Sequence, residues 1–201
     1  MSAKIIFWVV FLVLTGLIIF CDRKYGMLKD ISKVSPAPYS WARVQLALWT
    51  VIILTSFITI FIHAGIAPEF SMSTIILLGI SGATTAAARV IDMSDINNPL
   101  ATSLIQDQPG KSFFLDILSD QNGVSIHRFQ TVVFNFVFGA WFMIYVLSHI
   151  DSSTINNVIP EVASNNLLLL GLSSATYVAV KTTENRINPT STTTSDEEAV
   201  G

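Results

Sequence analysis

Five stretches of this chain, 5–21, 43–64, 72–91, 125–148 and 162–180, are apolar over nearly the thickness of a lipid bilayer. A helix needs about 20 apolar residues to cross a hydrocarbon layer of roughly 30 Å. Inside lipid a spanning segment must pair its own backbone polar groups, which favours helices over open strands. Short polar pieces separate the five runs, and no stretch between them has the make-up of a separate soluble domain. Only 12% of the residues are charged, against about 25% in ordinary soluble domains, and the mean hydropathy is +0.59. The fold class expected is an all-α integral membrane protein with five transmembrane helices.

Charge placement sets the expected topology. The basic residues Arg23, Lys24, Lys29, Lys33, Arg43, Arg89, Lys111, Arg128, Lys181 and Arg186 all fall on one side of a five-helix arrangement, leaving only Lys4 on the other. Positive charge collects in cytoplasmic flanks, so the N-terminus is expected outside and the C-terminus inside. The first run has one lysine ahead of it and no small-residue cleavage site behind it, and reads as a retained span. The layout is then an N-terminal helix (1–22), a cytoplasmic connector (23–39), a first helical hairpin (40–91), a second connector (92–124), a second hairpin (125–181) and a disordered tail (182–201). Met27, Leu28 and Ile31 have helical spacing, and predict an amphipathic helix on the membrane surface within the first connector. In the second, 112–119 predicts a short amphipathic helix and 120–123 a turn.

The two hairpins carry one pattern. Ser40, Arg43 and Gln45 recur as Ser125, Arg128 and Gln130. Pro68-Glu69 recurs as Pro160-Glu161. Gly79, Ala83 and Ala87 fall on Gly171, Ala175 and Ala179, Ser81 and Thr84 on Ser173 and Thr176, and Arg89 on Lys181. Matches in one order indicate a duplication. Both hairpins start and end on the cytoplasmic side, so the repeats are parallel, related by an axis along the membrane normal. Small residues at four-residue spacing let helix backbones approach closely. The two striped helices are expected to meet near that axis or to meet copies in another subunit.

Arg43 and Arg128 lie just inside helix N-termini, where a cation opposes the helix dipole by a few tenths to ~1 kcal/mol. Arg89 and Lys181 lie at C-termini, where it is favourable. Two readings remain open for the arginines: topology anchors that reach lipid phosphates, or contacts with an acid such as Asp92 or Asp120 or with a partner. Ser40 and Ser125 are expected N-caps. Gln45, Gln130 and Asn135, with Ser81, Thr84, Ser173 and Thr176, are either hydrogen-bond glue between helices or the lining of a polar path. No charge lies deep in a span, which disfavours a proton relay or voltage sensor.

Several motifs fail on inspection. Gly110-Lys111-Ser112 lacks the first glycine of a phosphate loop, because Ile105 stands there. The acids around Asp120 do not fit a calcium loop, and His63, His127 and His149 fall at opposite membrane faces. The lone Cys21 excludes an internal disulfide. The reading is therefore non-enzymatic, with no cofactor, no metal and no nucleic-acid partner.

The run from Asp116 through Gln130, with its Ser125-x-His127-Arg128-x-Gln130 helix start, resembles a family of uncharacterised bacterial multi-spanning membrane proteins. Pro68-Glu69-Phe70 and the Gly79–Thr84 stretch carry the same likeness, which covers roughly residues 39–184. The chain departs from the pattern at Pro160-Glu161-Val162 and at Ser174, where a glycine is common. The resemblance implies a bacterial inner-membrane, multi-pass protein and supplies no activity. The functional expectation is an oligomeric membrane anchor or scaffold, surrounded by lipid and assembled from like copies, that docks a cytoplasmic protein partner on residues 92–124. A small oligomeric channel is the alternative, and a secondary transporter the third reading.

Overall fold

A computed structural model describes residues 2–32, 34–97, 109–120, 123–151 and 158–182. The elements are α1 (Ala3–Tyr25), α2 (Trp41–Ala64), α3 (Met72–Asn97), α4 (Phe113–Leu118), a hairpin of β1 (Ser119–Asp120) and β2 (Gly123–Val124), α5 (Ile126–His149) and α6 (Ser164–Lys181). Four of them, α1, α2, α3 and α5, are long and apolar enough to cross a membrane. The fifth expected span forms as α6 but is not among the four. Ser164, Asn165, Asn166 and Lys181 occupy its ends, and Ser173, Ser174 and Thr176 interrupt the roughly 21 Å between them.

α2 is the hub. It packs along α1, α3 and α5, while α3 and α5 both pack on α6. The main core runs the length of this bundle, from Ala3 and Phe7 through Trp49, Ile52, Ile53 and Leu77 to Phe142, Val146 and Leu170. A second cluster sits at one end, where Trp41, Ala88, Ile117 and Tyr177 join with Leu28, Tyr39 and Phe113 around them. α1 buries Ala3, Ile6, Phe7 and Asp22 and leaves Trp8, Leu12, Val13, Leu17 and Phe20 exposed. In lipid such a face is solvated by acyl chains and needs no cover.

The helix ends follow local chemistry. Gly26 and Gly65 take left-handed conformations, φ 63° and 69°, and close α1 and α2 by donating to Asp22 O and Phe61 O. An L-residue would be strained there. α3 runs on past the expected end at Ile91 to Asn97.

The first connector is not an amphipathic helix. Gly26 ends α1, and the segment doubles back through a bridge between Lys29 and Tyr39. Asp30 N donates to Pro38 O at 2.8 Å and Ser40 N to Leu28 O at 2.8 Å. Pro36 and Pro38 lack the N–H groups a helix would need, and Leu28 gains more by entering the second cluster than by lying on a surface. Residues 121 and 122 of the expected turn lie outside the described residues; on either side of them β1 and β2 pair antiparallel, Ser119 with Val124.

Candidate functional site

The densest polar chemistry lies where the two connectors meet the helix ends. Lys181, at the C-terminus of α6, places Nζ 2.8 Å from Asp30 Oδ2 and 3.0 Å from Asp92 Oδ1. The three side chains are 8%, 21% and 11% exposed. One ammonium thus holds the first connector and α3 to α6. Burial pushes the Asp30 carboxyl up. The Lys181 ammonium, hydrogen bonds from Asp92 and Lys181, and the Arg43 charge outweigh it and hold Asp30 below the usual carboxylate range.

Asp116 and Asp22 complete this cap. Asp116 accepts from the backbone of Lys111 at 2.9 Å, Ser112 at 3.3 Å and Tyr39 at 3.2 Å. Gly110 N donates to Pro36 O at 2.8 Å. A Cβ on Gly110 would stand 3.0 Å from both Ala37 O and Asp116 Oδ2, so the two connectors can meet this closely only at a glycine. The Tyr39 ring meets Phe113 edge-on at 5.2 Å. Its hydroxyl donates to Asp22 Oδ2 at 3.1 Å, and Asp22 Oδ1 accepts from Leu28 N at 2.9 Å. Burial and the Asp22 carboxylate together push the Tyr39 phenol up. Asp92 and Asp116, two of the acids expected to face a partner, are engaged inside the chain.

The four expected basic residues do not behave alike. Arg43 Nη1 donates to Met27 O at 3.3 Å. Arg128 is buried, lies over the Tyr177 ring at 5.5 Å and donates to Asp116 O at 3.5 Å. Arg89 is exposed while Lys181 is buried. Asp92, expected as an arginine partner, binds Lys181, and the side chain of Asp120 lies outside the described residues. Ser40 and Ser125 occupy the N-cap positions of α2 and α5, but neither hydroxyl caps its helix. Ser125 Oγ instead meets the His127 ring, at 2.7 Å from Nδ1. Side-chain caps fall elsewhere among the described residues: Ser112 accepts from Leu115 N, and Ser71 Oγ accepts from Thr74 N at the start of α3.

Within the bundle, polar groups tie helices together. Gln45 Nε2 donates to Ser174 Oγ at 3.0 Å, joining α2 to α6. Trp49 Nε1 donates to Asn135 Oδ1 at 2.8 Å, joining α2 to α5. Thr131 Oγ1 donates to Ser173 O at 3.1 Å and Thr85 Oγ1 to Ala42 O at 3.0 Å. Ser81, Thr84 and Thr176 spend their hydroxyls on their own helix backbones. Gln130 is exposed, unlike its counterpart Gln45.

The small-residue stripe is not the seam between α3 and α6. Gly79, Ala83, Ala175 and Ala179 are exposed, Ala87 and Gly171 half-buried. A Cβ on Gly79 would meet nothing within 4 Å, and one on Gly171 only Ile80 Cδ1 at 3.7 Å. The buried faces are Leu77, Ser81, Thr84 and Ala88 on α3 and Leu170, Ser173, Ser174 and Tyr177 on α6. The close approach falls elsewhere, at Gly139, where a Cβ would stand 3.0 Å from Ile52 Cδ1.

Sequence reasoning missed Asp30, Tyr39, Asp22, Trp49 and Gly139 as members of these contacts. Gln45 and Asn135, polar residues in apolar helices, are the signals that point to these contacts. Among the described residues no group of three or more His, Cys, Asp or Glu is placed to hold a metal. No protein-family model matches the chain, and neither does any curated protein or solved structure.

Proposed function

We propose that the chain is a five-span anchor of the bacterial inner membrane, N-out and C-in, that assembles with copies of itself and docks a cytoplasmic protein partner on the 92–124 connector. The observation that carries this reading is the cap. Two connectors and three helix ends are bound to one another through Lys181, Asp116 and Tyr39. A scaffold needs a fixed platform of this kind at its membrane face.

Two further contacts support α6 as the fifth span. Its C-terminus reaches Asp30 and Asp92 at the cap. At the other end Val162 N donates to Ser73 Oγ at the start of α3, and Lys4 pairs with Asp151. The helix therefore joins the two ends of the bundle although its apolar length is short, a mismatch that local thinning of the bilayer accommodates at modest cost. The pairing of α2 with α5 and α3 with α6 supports the parallel duplication, because equivalent helices of two hairpins meet around such an axis. The uncovered face of Gly79, Ala83, Ala175 and Ala179 is the surface offered to a second copy.

The test uses a photo-reactive amino acid at Lys111 and Asp95, with Glu69 as the control at the opposite end. The expected result in intact membranes is a discrete protein adduct from the connector and none from Glu69. Adducts confined to lipid or to the same chain would end the docking reading. The channel alternative draws on one observation, the buried Gln45 Oε1 and Ser173 Oγ atoms that have no hydrogen-bond partner among the described residues. Liposomes that hold their ions with the protein correctly inserted would remove it.

A further inference from the structure

We infer that the α4–hairpin segment is a second membrane contact, a non-spanning foot seated at the boundary between phospholipid headgroups and acyl chains. This rests on the membrane-spanning reading and adds to it a surface outside the spans. Phe114, Val124 and Ile126 are 68%, 64% and 79% exposed. They form the apolar surface of a segment that otherwise buries Ile117 and turns Asp116 inward.

What covers these side chains follows from continuity. Ile126 opens a line of exposed apolar residues along α5 that continues through Phe129, Val137 and Ile144. The intervals of three, eight and seven residues keep that line on one helix face. From Ile126 to Ile144 it is about 27 Å long, close to the hydrocarbon thickness. This is the face of α5 turned to lipid, and Ile126 and Val124 extend it without a break into the hairpin. α4 is fixed against the first turn of α5, through Ser125 N to Leu118 O at 2.9 Å and Arg128 to the Asp116 carbonyl. Phe114, exposed on α4, is assigned to the same surface.

Backbone chemistry sets the depth. Asp116 satisfies the N–H groups of Lys111 and Ser112, and Leu118 O that of Ser125, but irregular backbone is not tolerated facing hydrocarbon. The seat is therefore interfacial, at the boundary between headgroups and acyl chains. A cytoplasmic protein would have to cover Phe114 and Val124 while leaving the contiguous Phe129 to lipid.

The experiment places one spin label at a time on the full chain in phosphatidylcholine–phosphatidylglycerol liposomes, in a Cys21→Ser background. The sites are Phe114→Cys, Val124→Cys and Ile126→Cys, with Val137→Cys as the mid-bilayer control and Glu69→Cys as the aqueous one. Collision with oxygen and with a water-soluble nickel complex is read by power saturation. The expected oxygen-to-nickel ratio at the three sites is several-fold above that at Glu69 and below that at Val137. Ratios equal to Glu69 overturn the proposal. Labels shielded from both reagents mark protein cover, by a partner or a second copy, and also overturn it. A water-like ratio at Val137 itself would remove the spanning reading and the foot with it, an outcome distinct from failure at the three sites alone. Three exposed positions are used so that one misfolded variant does not decide the result.

Discussion

At the residue scale, the pair Arg89 and Lys181 shows what a sequence match conveys and what it leaves out. Both are cations at helix C-termini, and only Lys181 is enclosed by carboxylates. Removing one partner of a buried ion pair leaves the others uncompensated, at a cost of about 3–5 kcal/mol. Lys181→Met should therefore lower the thermal unfolding midpoint in detergent strongly, while Arg89→Met, at an exposed position, should stay within about 0.5 kcal/mol of wild type. Equal effects would show that the enclosure of Lys181 contributes nothing. The same cluster has an acid dependence. Because the folded Asp30 lies below its unfolded value of about 3.9, its contribution is present above that pH and is lost as pH falls through the folded value. Trp49 and Asn135 offer a second measurement. Asn135→Leu leaves the Trp49 N–H buried without its acceptor, at about 1–2 kcal/mol, and adding Trp49→Phe should recover part of that loss because neither group is then left unpaired.

At the element scale, the long helices were legible because their signals are local. A run of apolar residues, a glycine past its end and a polar residue before its start all act within a few positions, and the bounds of α2, α3 and α5 differ from expectation by few residues except at the end of α3. The connectors were not legible. Whether Met27, Leu28 and Ile31 form a surface helix depends on what lies beside them, and the second core cluster takes Leu28 into a folded-back turn. The interior glue was half legible: Gln45 and Asn135 were visible as polar residues in apolar helices, but their partners Ser174 and Trp49 belong to distant segments. The stripe shows the same boundary. Spacing identifies a smooth face and cannot say which neighbour uses it. Gly139 has Asn135 and Met143 at four-residue distance, so no stripe marked it, yet it is where α2 and α5 approach most closely among the glycines of the bundle. Gly139→Leu should destabilise the protein by about 1–3 kcal/mol through overpacking against Ile52, whereas Gly79→Leu should leave the melt of the isolated chain unchanged. A wild-type melt for Gly139→Leu would mean that the α2–α5 crossing is looser than the 3.0 Å approach requires.

At the scale of the whole molecule, the arrangement turns on α6. The other four long helices have the length and composition to cross by themselves, whereas α6 depends on its neighbours. On the five-span proposal, its polar N-terminal turn and Lys181 are offset by Val162, held to Ser73 at one end, and by the ammonium's contacts with Asp30 and Asp92 at the other. An even number of crossings would put residues 151 and 182 on one side of the membrane, and an odd number puts them on opposite sides. In a Cys21→Ser background, single cysteines at Glu69, Asp151, Lys111 and Thr182 can be challenged with a membrane-impermeant maleimide in intact cells and again after permeabilisation. With five spans, Glu69→Cys and Asp151→Cys label in intact cells, and Lys111→Cys and Thr182→Cys label only once the membrane is opened. Labelling of Thr182→Cys together with Asp151→Cys in intact cells would leave α6 on the outer surface. The Lys181 ion pairs could not then form, because Asp30 and Asp92 belong to the opposite end of the bundle. Lys181→Met adds an internal control: if the ion pairs are what hold α6 across the bilayer, Thr182→Cys becomes accessible from outside in that background while Asp151→Cys does not change.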